Sequence, residues 1–219
     1  YKQYELLIHQ WRNVFKYTVG SRVVLFDDSG IEYECMIAGF TGSKIELAVL
    51  TSRNVEQIGQ DKEVWMFVSV LKNDNFDLVI QKLTELGVNH IVPILCDRTI
   101  KKNINMERAH KIAVEATEQS GRLHVPTVYE PVSLKKSVEG FIERGGDLIV
   151  CHQKGDKWNI VSGALKKYPI GCIVGPEGGW SEKEEQLFKD LGLKKVSFSE
   201  GALRAETAAI AVATLVCVV

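Results

Sequence analysis

From Val64 onward the chain alternates unbroken apolar runs with segments of helical period, and this alternation restricts the fold more than any other feature of the sequence. Val64 to Leu71, Val88 to Leu95, Val125 to Tyr129, Asp147 to Cys151, Ile170 to Val174 and Lys195 to Phe198 read as buried strands. Between the first two, Phe76, Val79, Ile80, Leu83 and Leu86 recur at helical spacing, and Gly87 stands where a left-handed cap would close the helix. Asn105 to Ser120 predicts a second helix stopped by Gly121, with others around 133–144, 158–167 and 181–191. Strands that are apolar on both faces need cover on both sides, so the expected fold is α/β with a mostly parallel sheet. Ligands of such sheets sit outside the carboxyl ends of the strands.

The first 62 residues have a different texture. Short alternating runs, Ser21 to Phe26, Ile31 to Phe40 and Ile45 to Leu50, are separated by Asp27-Asp28-Ser29-Gly30 and Thr41-Gly42-Ser43. Those are hairpin signals, and they predict a small all-β module, a compact barrel over residues 1–62 joined by a polar linker, Ser52 to Lys62, to an α/β domain over 63–219.

Composition removes several classes of function. With 27 Lys and Arg against 28 Asp and Glu, the chain lacks the strongly basic body of a non-specific nucleic-acid binder. Cys35, Cys96, Cys151, Cys172 and Cys217 lie far apart inside apolar runs and read as buried free thiols, and neither they nor the histidines have metal-ligand spacing. The longest apolar run, Ala208 to Val219, is too short to span a bilayer, and no signal segment opens the chain, so the cytoplasm is the expected compartment.

Two loops concentrate the chemistry. Ile173-Val174-Gly175-Pro176-Glu177-Gly178-Gly179-Trp180-Ser181 leaves a strand and opens a helix, where Ser181 and Glu184 form a capping-box pair. Ser199-Glu200-Gly201-Ala202-Leu203-Arg204-Ala205-Glu206-Thr207 repeats the plan before the last helix. Glycines let backbone approach a ligand, yet there is no P-loop lysine and no G-x-G-x-x-G; a tight structural turn is the alternative. Arg204 and Glu206 flank an otherwise apolar helix, which points to an ion pair or a ligand contact, or for Glu206 to a first-turn carboxylate at the helix dipole. The helix from Ala205 is apolar on every side and so belongs in the core or against a partner subunit. Arg98, Lys101, Lys102, Arg108 and Lys111 form the one locally basic stretch, either a phosphate contact or a solvated face.

Four motifs in order, Gln81 to Val88, Glu115 to Arg122 with Pro126, Ile173 to Gly179, and Leu203 to Ala208, resemble the RsmE family, bacterial 16S ribosomal RNA uridine-N3 methyltransferases of the SPOUT superfamily. The resemblance implies a PUA-like β-barrel for RNA and a SPOUT domain whose chain end forms a trefoil knot. It also implies S-adenosylmethionine as methyl donor, a homodimer, and 16S ribosomal RNA within the small subunit as substrate. His9-Gln10, Val14-Phe15-Lys16 and Ser21 depart from the family's pattern in the barrel.

Carried onto this chain, the resemblance implies a donor held by His152, Val174, Gly175, Glu177, Gly178, Gly179, Phe198, Ser199 and Leu203. Arg204 is the expected stabiliser of the uracil anion, with Glu206 or Glu177 orienting it or taking the proton. Lys16, Arg98, Lys101, Lys102 and Arg122 are the expected RNA contacts. The alternatives are a knotted methyltransferase acting on another RNA position, such as a ribose 2′-hydroxyl, and a non-enzymatic RNA-binding or assembly factor.

Overall fold

The computed structural model describes residues 8–26, 30–42, 44–54, 62–72, 75–165 and 168–218. The chain divides into two compact units, residues 1–58 and 59–219, a break a few residues before the expected boundary at 62. Most of the expected linker, residues 55–61, and the first hairpin turn, residues 27–29, lie outside the described residues.

In the first unit β1 (Arg22–Phe26), β2 (Ile31–Thr41) and β3 (Lys44–Asn54) form an antiparallel sheet in that order. Among the described residues these three are its strands. β2 carries register shifts at Glu34/Cys35 and Ile37/Gly39, and such bulges bend a strand and increase its twist. Trp11, from a helical turn at Gln10–Val14, packs with Val23, Cys35 and Ile37 as the unit's core.

The second unit is the expected parallel sheet. Its elements are β4 (Val64–Ser69), α1 (Asn75–Leu86), β5 (His90–Leu95), α2 (Met106–Ser120), β6 (Thr127–Val128), β7 (Val132–Ser133), α3 (Leu134–Ile142), β8 (Asp147–Lys157), α4 (Trp158–Val161), β9 (Ile170–Val174), α5 (Glu182–Asp190), β10 (Lys194–Ser197) and α6 (Ala205–Cys217). The strand order is β10-β8-β9-β4-β5-β6, with β7 also against β5, and every pairing is parallel.

All six residues of β4 and all five of β9 are buried, as strands covered on both faces must be. On one face Val64, Met66, Val68, Ile91, Ile149 and Cys172 meet α1 and α6 through Phe76, Val79, Leu83, Ala209, Val212 and Ala213. On the other, Trp65, Phe67, Val92, Val150 and Ile173 meet Val138 and Phe141 of α3 and Phe188 of α5. The final helix buries only part of its surface in this unit: Ala209, Val212, Ala213 and Val216 are inside, whereas Ile210, Ala211 and Leu215 are half-buried.

Three local expectations change. The helix expected over 158–167 is a single turn, Trp158–Val161, followed by a 3-10 turn at Ser162–Ala164. The strand expected over 125–129 is reduced to Thr127–Val128. β8 runs on past Cys151 to Lys157, and there it changes the geometry: Lys195 pairs with Val150 but Val196 with Asp156, so residues 151–155 bulge out of the ladder. No helix of the described residues is long and apolar enough to cross a membrane.

Candidate functional site

The topological switch of the sheet lies between β4 and β9, where the chain, having built one side, returns to build the other. Beyond the carboxyl ends of β8, β9 and β10 lies a cleft of about 830 Å³, within the size range of small-ligand sites. Three segments wall it: the β8 bulge, the loop that leaves β9 at Val174, and the loop that leaves β10 at Ser197 and enters α6.

Each wall is set by local chemistry. At the β9 loop, Gly179 has φ +71 and its N–H donates to Pro176 O at 2.9 Å, closing a tight turn. The turn delivers Ser181 as N-cap of α5, and the capping box is complete: Glu184 N–H donates to Ser181 Oγ at 3.3 Å and Ser181 N–H to Glu184 Oε2 at 2.7 Å. The other oxygen of Glu184 accepts the Asp97 N–H at 2.9 Å, and Ser181 Oγ donates to Asp97 Oδ2 at 2.5 Å, so the segment after β5 is tied to the same helix start. Trp180 folds back under the loop and donates Nε1–H to Cys151 O at 3.3 Å. In the β10 loop, Ser197 Oγ donates to Ser199 O at 2.9 Å and Ser199 Oγ to Gly201 O at 2.5 Å.

The β8 bulge is held by side chains. His152 Nδ1 accepts the Lys154 N–H at 2.9 Å, which leaves the ring hydrogen on Nε2, and Nε2 donates to Glu185 Oε1 at 2.7 Å. Lys195 donates to the other oxygen of Glu185. Burial pushes the Glu185 carboxyl up, but the hydrogen bonds from Lys195 and His152 and the charge of Lys195 outweigh it, and its pKa is held below the ordinary value.

The cleft gathers most of the residues singled out in the sequence. His152, Val174, Gly175, Glu177, Gly179, Phe198, Ser199, Leu203 and Arg204 line it. Gly178 does not: its carbonyl turns outward and accepts Arg98 Nη1–H at 2.7 Å. Glu206 is not in the wall either. It is buried in the first turn of α6, its Oε2 without a partner among the described residues, and the ion pair considered for Arg204 is not formed there. Arg204 is exposed at the helix entrance and makes no side-chain capping bond. Among the described residues no three His, Cys, Asp or Glu side chains are placed to share a metal ion.

The expected RNA contacts divide. Lys101 and Lys102 are exposed in the segment after β5, and Lys16 is exposed in the first unit with φ +56. Arg122 is placed differently: its guanidinium is half-buried and donates to Thr84 O at 2.6 Å and Val88 O at 3.2 Å, so it closes the carboxyl end of α1. Sequence reading missed Trp180, Glu185 and Lys195 as cleft residues. Nothing in the local pattern of Glu185 or Lys195 marks them, since a second glutamate in a capping turn and a lysine in a short strand read as solvated positions, whereas Trp180 stands within the first glycine loop's stretch.

Comparison with known proteins adds an independent finding. The RNA methyltransferase domain family matches residues 59–217. The chain is 28% identical over 208 residues to the ribosomal RNA small subunit methyltransferase E of Rickettsia conorii, covering 93% of this chain and 83% of that protein. It is 32% identical over 174 residues to ribosomal RNA small subunit methyltransferase E 2 of Borreliella burgdorferi, covering 73% and 68%. Its fold superposes with a TM-score of 0.86 on the crystal structure of a ribosomal RNA small subunit methyltransferase E from Neisseria gonorrhoeae bound to S-adenosyl methionine, at 26% identity over 95% of this chain and 87% of that one.

Proposed function

The chain belongs to the ribosomal RNA small subunit methyltransferase E family, and from that premise we propose that it catalyses S-adenosylmethionine-dependent methylation of 16S ribosomal RNA at N3 of one uridine. The observation that carries this reading is the convergence of the two glycine loops and the β8 bulge on one cleft at the carboxyl edge of the sheet. The cleft suits an adenosyl group: backbone amides of Val174, Gly175, Ser199 and Leu203, all in its wall, would hold the polar edge of adenine, and Phe198, Leu203 and Ala208 would offer apolar surface. S-adenosylmethionine supplies a methyl group on a sulfonium.

The protein's own work is positioning and charge control. Uracil N3 is a poor nucleophile until its proton leaves, and the charge that then develops lies on the flanking oxygens. Arg204, exposed at the cleft, is the stabiliser of that charge. Glu206 Oε2 is buried and has no hydrogen-bond donor among the described residues, a costly state that a reoriented Arg204 would relieve, and this makes Glu206 the residue that orients Arg204 and leaves Glu177, in the cleft wall, as the proton acceptor. Lys101, Lys102 and Arg98 contribute phosphate contacts, and Lys16 belongs to a PUA-like RNA-binding module in the first unit. The apolar residues of α6 left half-buried fit a homodimer contact in a trefoil-knotted SPOUT domain of a cytoplasmic enzyme.

Nucleoside mapping of ribosomal RNA from a strain lacking the protein tests the proposal. Loss of a single N3-methyluridine is expected. Loss of a ribose-methylated nucleoside would redirect the activity to a 2′-hydroxyl, and an unchanged profile together with no calorimetric binding of the donor would leave a non-enzymatic factor.

A further inference from the structure

We propose that Glu185 is a positioning residue of the donor cleft, holding the bulged segment 151–155 in place through His152 and Lys195. The inference rests on the reading of that cleft as the donor site. Residues 151–155 are the part of the wall that the sheet does not fix, because β10 pairs with Val150 and then directly with Asp156. Gly155 is pressed on the β10 backbone, where a Cβ would come within 2.5 Å of Lys195 C and Val196 N. At the other end, Cys151 O accepts the Trp180 indole N–H. Between these two anchors the fastening is Glu185, one oxygen on His152 Nε2 and the other on Lys195 Nζ.

The fastening has a chemical consequence for His152. One of its nitrogens accepts from Lys154 N–H and the other donates to Glu185, so neither is left for a substrate proton. His152 therefore forms wall, and catalysis of proton transfer falls to other groups. Consecutive helical positions point about 100° apart, and α5 uses this. Glu184 turns inward to the N–H groups of Asp97 and Ser181, while Glu185 turns to the bulge. The side chains of His152, Glu185 and Lys195 are 17%, 31% and 32% exposed, so the pairing is partly withdrawn from water.

The test compares wild type with E185A and E185Q by three measurements: calorimetric Kd for S-adenosylhomocysteine, kcat and donor KM on small ribosomal subunits, and the imidazole ¹⁵N resonances of His152. In E185A the Kd and donor KM are expected to rise about tenfold. The kcat at saturating donor stays within about twofold, the mark of lost binding rather than lost chemistry. Wild type is expected to show the Nε2–H tautomer of His152, E185Q to keep it because the amide oxygen can still accept that proton, and E185A to give a mixture as the freed bulge loosens the Lys154 bond. Lys195→Met leaves His152 bonded to Glu185; if E185A fails to fold, K195M should keep the tautomer and weaken donor binding by a smaller factor. Unchanged Kd and KM, with or without a changed tautomer, overturn the inference alone, as does a fallen kcat at unchanged Kd. Wild-type protein that binds no donor overturns the functional reading and this inference with it.

Discussion

Gly175 lies directly against the indole of Trp180: a Cβ on Gly175 would stand 2.8 Å from Trp180 Cζ2 and 2.9 Å from Cε2. The same indole donates to Cys151 O and packs edge-on against Phe188 at 4.9 Å between centroids. The glycine is therefore required for packing, because the ring that the missing side chain admits joins the β9 loop to the β8 bulge.

Gly175→Ala should consequently disturb both stability and binding. Overpacking of this kind costs about 1–3 kcal/mol, so a lower denaturation midpoint is expected together with weakened donor binding by calorimetry. Wild-type values for both would contradict the close approach.

Arg204→Ala should separate binding from turnover. The side chain makes no capping bond, so donor affinity is expected within about twofold of wild type, while turnover falls by about 10²–10³, the usual loss when an oxyanion donor is removed. Single-turnover methylation with saturating donor checks it, and near-normal rates would remove Arg204 from the mechanism.

Arg122→Met should act on stability alone. It strips the donors from Thr84 O and Val88 O, with an expected loss of about 1–3 kcal/mol in chemical denaturation. The salt dependence of RNA binding should not change, since the guanidinium is not free to meet a phosphate.

Stability should decline on mild acidification through His90. Its ring stacks on Trp65 at 3.8 Å between centroids, its Nδ1 meets Tyr129 OH at 3.1 Å, and its Nε2 meets Glu63 Oε1 at 3.0 Å. Burial lowers its pKa below the ordinary 6.5, with Glu63 opposing and Arg144 adding to the fall. The folded state then binds the proton less tightly than the unfolded chain, so this contribution is intact above 6.5 and is lost as pH falls from there through the folded value. His90→Gln should flatten that part of a stability–pH curve; an unchanged slope would assign the decline to other groups.

Cys96, Cys151 and Cys172 should resist alkylation in the native protein. Burial, with Glu184 adding, pushes the Cys96 thiol up to about 12, and burial also raises the other two. Iodoacetamide at about pH 8 should label them only after unfolding, as read by mass spectrometry, because the thiolate is the reactive form.

What the sequence determined by itself was short-range. The apolar runs and the i, i+3, i+4 periodicity predict the strands and helices of the second unit because burial on both faces leaves no other pattern. The caps are equally local: Asn105 accepts from Arg108 N–H three residues on, Gly121 takes φ +68, and Ser181 and Glu184 close their box within one turn. The first glycine loop also announces itself, since close approach at Gly175 and positive φ at Gly179 restrict the residue type at the position itself.

Only the tertiary structure decided which distant residues meet. Glu185 reaches His152 across 33 positions, Arg122 reaches Thr84 across 38, and the bulge of β8 exists because of how β10 pairs with it. A glutamate on an amphipathic helix or an arginine after a C-cap carries the same local signal whether it faces solvent or a cleft. The choice between the two is made by strand order and helix placement, which put these side chains beside partners that no window of sequence contains.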